Sequence, residues 1–477
     1  MLSRSGGVSN AKVQEMKSHR ESRNTVWRWL LIACALTVPA RAVAGSTQTL
    51  PPENETAKSS FSTTVQSGCS MFDLPLSSEE ASGSNASSHL RIGFVPSRRA
   101  DLEQTIAGYE RSKTPFVAFD GKQFVPAGFA DDPGLYYFVP AMCRILHTNL
   151  DESIFIFYLS ILGIAFAIGA VGFTLILSGW PSRIIGIGWL LIVAVLVYKI
   201  GDLYLVEFAL PAILVPWGLW WVCGRPNKFR VGFGLFLFFS GFLVAIAQLL
   251  RLSAGPPAIA FMLILLILCL RASRKWKLVG LSLLVAGFLL PRVYFDHLAS
   301  QRDQFLANRP SEFQFGSSRH AFWHFAYMGL GFLHNAYVQG SCDDFNKEKV
   351  RSISPDAAYL SVDYDRILKQ ETLAVVRHHP MFAMFTLAAK LGIVLTSILV
   401  FANIGLLFIK RLPTSLQIAL WTPLLVSTIP LLIIVPLKLY FVGVIAYSTM
   451  LGIVAALRLM TRVGSPPPEA NHYLAGT

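Results

Sequence analysis

Long apolar runs alternate with short polar connections along most of this chain. Runs at 154–177, 185–200, 203–222, 231–250, 252–270, 279–290, 381–409, 417–436 and 439–457 follow an earlier one at 29–44. A helix needs about 20 residues to cross a bilayer. Several runs reach that length, some fall short, and Pro256-Pro257 breaks the start of one. The pattern predicts an all-α polytopic membrane protein with about ten transmembrane helices, give or take one or two.

Composition agrees. The 477 residues are 53% hydrophobic and 14% charged, where a soluble chain would carry about a quarter charged. Mean hydropathy is +0.51. The net charge of +13 would suit a nucleic-acid partner if it formed a patch. Instead the basic residues cluster between apolar runs, so no nucleic-acid role is read.

Every second connection is basic. The set comprises residues 1–28, Arg183, Arg225/Lys228/Arg230, Arg271/Arg274/Lys275/Lys277, Lys410/Arg411 and Arg458/Arg462. The positive-inside rule puts these in the cytoplasm. A cytoplasmic N-terminus (1–28) then precedes a first span or signal peptide (29–44), whose "ARAVAG" ending also reads as a cleavage site. A first outer loop (45–153), a transmembrane core (154–290), a second outer loop (291–380), C-terminal spans (381–460) and a cytoplasmic tail (461–477) follow. Cys69, Cys143 and Cys342 fall on the outer side, where one pair of them is free to oxidise. Residues 45–88 are rich in Ser, Thr, Asn and Glu and predict a disordered tether.

The first outer loop ends in "FADDPGLYYFVPAM". Asp131-Asp132-Pro133 reads as a helix start, with Asp as N-cap and Pro at the first helical position. The apolar spacing from Leu135 to Leu146 predicts an interfacial helix over 131–146. A carboxylate pair at its head suits general-base chemistry on an acceptor hydroxyl, with the second carboxylate orienting that hydroxyl or holding a divalent cation. Capping alone is the plainer reading of the pair.

This stretch, just before a span, resembles membrane glycosyltransferases of the GT-C superfamily, including the protein O-mannosyltransferase and aminoarabinose-transferase-like branches. The resemblance implies a polyprenyl-phosphate-type, lipid-linked sugar donor used at the outer face of a bacterial inner (plasma) membrane. It also implies Asp131 or Asp132 as the base.

The second outer loop carries "HAFWHFAYMGLGFLHN" (320–335), followed by Asp343-Asp344 and His378-His379-Pro380. It resembles a block in uncharacterised bacterial polytopic membrane proteins. His320 and His324 are four apart and share a helical face. With His334 or Asp343 they form one candidate metal set. An aromatic helix with satisfied histidines is the bland alternative. A substrate-binding element is the third: Trp323 offers an aromatic face, Arg319, His320 and His324 suit phosphate oxygens, and His334, Asn335, Asp343 and Asp344 add polar contacts. Arg292, at the outer end of a span, falls at headgroup depth. Residues 364–377 read as a packing helix, and Lys438 as a snorkelling anchor.

Three functions follow. The first is a glycosyltransferase acting on a lipid-linked donor by single displacement. The second is a transporter or flippase, for which Asp202 and Glu207 are the acidic residues near spans. The third is a non-catalytic subunit of an envelope polysaccharide assembly system. No GxxxxGK[ST] loop occurs, which disfavours an ATP-driven pump.

Overall fold

The computed structural model describes residues 96–127, 132–224, 231–270, 272–307, 322–338, 340–357 and 359–463. The expected first span at 29–44, the tether at 45–88, Asp131, Arg319 and His320 lie outside them.

Helix α1 (Pro96–Ser112) leads into a two-stranded antiparallel hairpin, β1 (Val117–Phe119) and β2 (Phe124–Pro126), and then α2 (Leu135–Leu146). The bundle follows: α3 (Leu150–Ile176), α4 (Trp180–Ile200), α5 (Leu205–Gly224), α6 (Val231–Leu250), α7 (Gly255–Ile264) and α8 (Arg274–Ala307). A second lobe holds α9 (Phe322–Leu330), α10 (Asp343–Ile353) and α11 (Val362–His378). The bundle closes with α12 (Pro380–Ala402), α13 (Thr414–Ile433) and α14 (Phe441–Val463).

Nine helices among the described residues are long and apolar enough to cross a membrane. They coincide with the nine apolar runs after residue 150, and the chain is an all-α polytopic membrane protein. The share of buried positions runs from 83% in α14 and 72% in α5 down to 22% in α12. The first two therefore form the centre of the bundle. Peripheral helices turn large apolar side chains outward, such as Leu191 and Ile192 on α4 and Met384 and Phe385 on α12. Lipid is the solvent that suits such faces.

Several boundaries differ from the apolar runs. The run at 279–290 is only the middle of α8, which has 34 residues and carries Pro291 inside it. Its basic start and polar end form helix without being hydrophobic, so hydropathy alone does not register them. The run at 381–409 breaks at Asn403, whose φ is 49°. Asn tolerates that left-handed conformation better than most residues. In the run at 252–270, Pro256 and Pro257 occupy the start of α7, where proline loses no helical hydrogen bond. That run ends in a π-helical turn, Leu265–Cys269.

The helix expected at the interface also starts later than 131. Pro133 and Gly134 form a turn, α2 begins at Leu135, and no side chain caps it. The Gly134 N–H donates instead to Leu249 O on the last turn of α6, at 2.8 Å. That bond anchors the first lobe to the bundle. Helix α6 packs on α8 through Gly241 and Gly287, where a Cβ would come within 2.0 Å of Leu284 O and 1.9 Å of Phe238 O. Only glycine permits such an approach.

The first lobe shares the core of the bundle through Leu102, Phe116 and Leu135. The second lobe has its own small core of Tyr327, Val338, Val350, Tyr364, Ile367 and Leu368. Cys342 is disulfide-bonded, whereas Cys143, Cys223 and Cys269 are free.

Candidate functional site

Successive spans reverse direction, so the connections at 201–204, 251–254 and 434–440 share one end of the bundle with the first lobe. Charged side chains from these segments meet there. Asp202 sits in a tight connection with φ 64°, after Gly201 at φ 73°. Its Oδ1 accepts from Leu203 N at 2.6 Å. The same Oδ1 accepts from Arg98 Nη1 of α1 at 2.5 Å. Arg98 Nη2 lies 3.2 Å from Asp132 Oδ2. Both carboxylates are buried, at 1% and 2% exposure for Asp132 and Asp202. A guanidinium suits this position because its planar fork serves two carboxylates at once.

Burial works against the charge on Arg98, but Asp202 and Asp132 outweigh it and hold the guanidinium's pKa above its ordinary value. Burial pushes Tyr136 up, with Asp132 and Asp101 adding negative potential. Asp101, facing Tyr136, is pushed up by burial as well.

A second group lies beside the first. Arg251 follows the last turn of α6 and hydrogen-bonds the Tyr204 hydroxyl, with its guanidinium 4.2 Å from the centre of that ring. Tyr440 packs edge-on to Tyr204 at 5.2 Å. Glu207, in the first turn of α5, accepts from Ser253 Oγ at 2.5 Å and from Gly443 N at 3.1 Å. Gly443 lies in the first turn of α14, whose N–H groups have no helical acceptor. Glu207 therefore caps α14 from across the bundle.

The sequence-derived candidates fall as follows. Asp132 does not cap α2, and it does not face open water. Arg98 holds its carboxylate, and its backbone oxygen accepts from Leu135 N of α2 at 3.0 Å. Arg292 is half-buried on α8, with its guanidinium carbon 5.5 Å from the centre of the Phe288 ring.

His324 is buried, at 1% exposure. Its Nε2 is 3.0 Å from Asp343 Oδ1, and its Nδ1 is 3.0 Å from the Tyr364 hydroxyl and 3.2 Å from Asn346 Nδ2. A carboxylate can only accept here, so Nε2 carries the proton and Nδ1 accepts. The hydrogen bond from His324 holds Asp343 below the usual carboxylate range, against the effect of burial. Burial and the charge of Asp343 push Tyr359 up.

Trp323 donates its backbone N–H to Asp365 Oδ1 at 3.1 Å and lies near Lys369. Asn335 folds its own loop, accepting from Tyr337 N at 2.8 Å and Val338 N at 2.7 Å. Asp344 pairs with Lys347 at 3.1 Å. His334 is exposed.

The histidine segment is therefore built into the second lobe. The partners of His324 are all in that lobe, and its core is separate from the one that holds the Asp132 turn. Among the described residues no group of three or more His, Cys, Asp and Glu side chains is placed to hold a metal ion. Sequence reasoning missed Arg98 and Arg251, and it noted Asp202 and Glu207 without joining them to Asp132. The available signal was the acidic pair itself, because buried carboxylates require partners.

No family model, curated protein or solved structure matches the chain.

Proposed function

We propose that the chain is a GT-C-type glycosyltransferase that moves a sugar from a polyprenyl-phosphate-type donor to an acceptor hydroxyl at the outer face of the membrane. The observation that carries this reading is the meeting of Asp132 and Asp202, from two separate connections, on Arg98 at one end of an apolar bundle. Transfer from a lipid-linked donor needs three things at the membrane surface: a base, cationic groups for a phosphate, and lipid access. Asp132 supplies the base, Arg98 and Arg251 the cations, and the peripheral helices the apolar surround.

In the reaction, the acceptor oxygen attacks the anomeric carbon as the bond to the phosphate oxygen breaks. The acceptor proton passes to the Asp132 carboxylate, and the lipid phosphate leaves with its electron pair. Arg98 turning toward that phosphate frees Asp132 from its ion pair and offsets the charge developing on the leaving group. A single displacement inverts the anomeric centre.

The test follows a radiolabelled polyprenyl-phosphate sugar pool in cells that lack and then regain the protein. Asp132→Asn at normal expression is expected to lose roughly 10²-fold or more in turnover. Full complementation by Asp132→Asn would refute the assignment.

A second reading is favoured by one observation. Glu207 and Lys390 are both buried within apolar helices, at 8% and 2% exposure, and ionisable groups at such depth accompany transport. Uptake of lipid-linked sugar across proteoliposomes by an Asp132→Asn protein that makes no product would favour transport.

A further inference from the structure

Where α5, the turn before α7, α13 and α14 converge, they enclose a cavity of about 10 Å³. Such a space admits one water-sized occupant and no sugar ring. Glu207, Ser253, Ser427, Tyr440 and Tyr447 line it. Every polar side chain in that set offers oxygen, with no nitrogen or sulfur.

Both serine donors in the wall are already committed elsewhere. Ser253 donates to Glu207, and Ser427 donates to Leu424 O at 2.7 Å. Their lone pairs remain for an occupant. Tyr447 is 97% buried by its 3% exposure, lines the same space, and has no hydrogen-bond partner among the described residues. Glu207 has no ion-pair partner within 4.0 Å among the described residues, and Arg251 acts on it only at longer range.

A carboxylate removed from water needs a counter-charge or a proton. Here the remaining room holds one small ion, and the ligands around it are hard oxygens. Hard cations take oxygen ligands, whereas transition metals favour imidazole and thiolate. With a single carboxylate and neutral hydroxyls, the charge balance suits a monovalent ion. We infer that this cavity is a sodium site, with Glu207 as the charged ligand and Tyr447, Ser253 and Ser427 as neutral oxygen ligands. The site joins the first turn of α5 to the first turn of α14, the two most buried helices of the bundle. Occupancy would tie the centre of the bundle to the ionic composition outside. The inference does not depend on the transferase reading, because sodium binding is measured without donor or acceptor.

Binding of radiolabelled sodium to the purified full-length chain in detergent tests it, with choline holding ionic strength constant. The expected result is saturable binding of about one ion per chain, loss in Glu207→Gln, and at least tenfold weaker binding in Tyr447→Phe. Thermal melting in sodium against choline gives a second readout, since a ligand of the native state raises its stability. Should Glu207→Gln fail to fold, Tyr447→Phe and Ser253→Ala keep the carboxylate and decide the matter. No saturable binding, equal binding in all the variants, or stabilisation that follows pH alone and ignores sodium would each overturn the assignment.

Discussion

Arg98 stands between two buried carboxylates, and that arrangement sets what its removal does. Taking one partner from a buried ion cluster costs about 3–5 kcal/mol, because the remaining charge stays desolvated and unpaired. Arg98→Ala takes the guanidinium from both Asp132 and Asp202, so a large fall in melting temperature is expected. Arg98→Lys should recover only part of it, since an ammonium does not span two carboxylates as a planar fork does. An Arg98→Ala protein that melts like wild type would show the cluster to be solvated. The second lobe offers a pH test. The folded pKa of Asp343 is depressed, chiefly by the hydrogen bond from His324. Its contribution is therefore complete above the unfolded value of about 3.9 and is lost as pH falls through the lower folded value. Limited proteolysis of the second lobe should accelerate in that acid window. Asp343→Asn should lose that acid-dependent step and cleave faster at neutral pH.

At the scale of elements, legibility depended on whether the signal lies along the chain or across space. Apolar runs are one-dimensional, which is why the spans could be read from residue order. The late start of α2 was harder to see, because Gly134 is held by Leu249 of a distant helix. The Arg98–Asp202 contact joins residues 104 apart in sequence, and nothing in either local pattern announces it. The histidine segment misled for a related reason. A buried histidine satisfied by Asp343, Tyr364 and Asn346 has the same sequence as one that awaits a ligand. Docking of the second lobe rests on a similar long-range contact. A Cβ at Gly329 of α9 would sit 1.9 Å from Ile433 O, at the end of α13, and 2.9 Å from Lys390 Nζ. That ammonium donates to Leu432 O at 3.2 Å and reaches Ile433 O at 3.4 Å, closing the free carbonyls of the helix end. Gly329→Val should therefore lift the lobe, seen as new protease cuts within α9–α11 while the bundle stays intact. Unchanged cleavage would show that the lobe is held elsewhere.

For the whole molecule, two independent features bear on which end of the bundle faces out. The Lys/Arg alternation predicts the second lobe outside and the segment around Lys277 in the cytoplasm. Cys342 of that lobe is disulfide-bonded, and disulfides persist in oxidising compartments. Non-reducing peptide mapping of the native protein should therefore recover the Cys342 peptide in a disulfide. A compartment reporter fused after Lys347 should be active only outside, and one fused after Lys277 only in the cytoplasm. The two experiments fail in different ways. A free Cys342 thiol with the reporters as expected would remove only the disulfide argument. Cytoplasmic activity at Lys347 would invert the orientation, place the Arg98 cluster on the inner face, and remove the outer-face transferase with it.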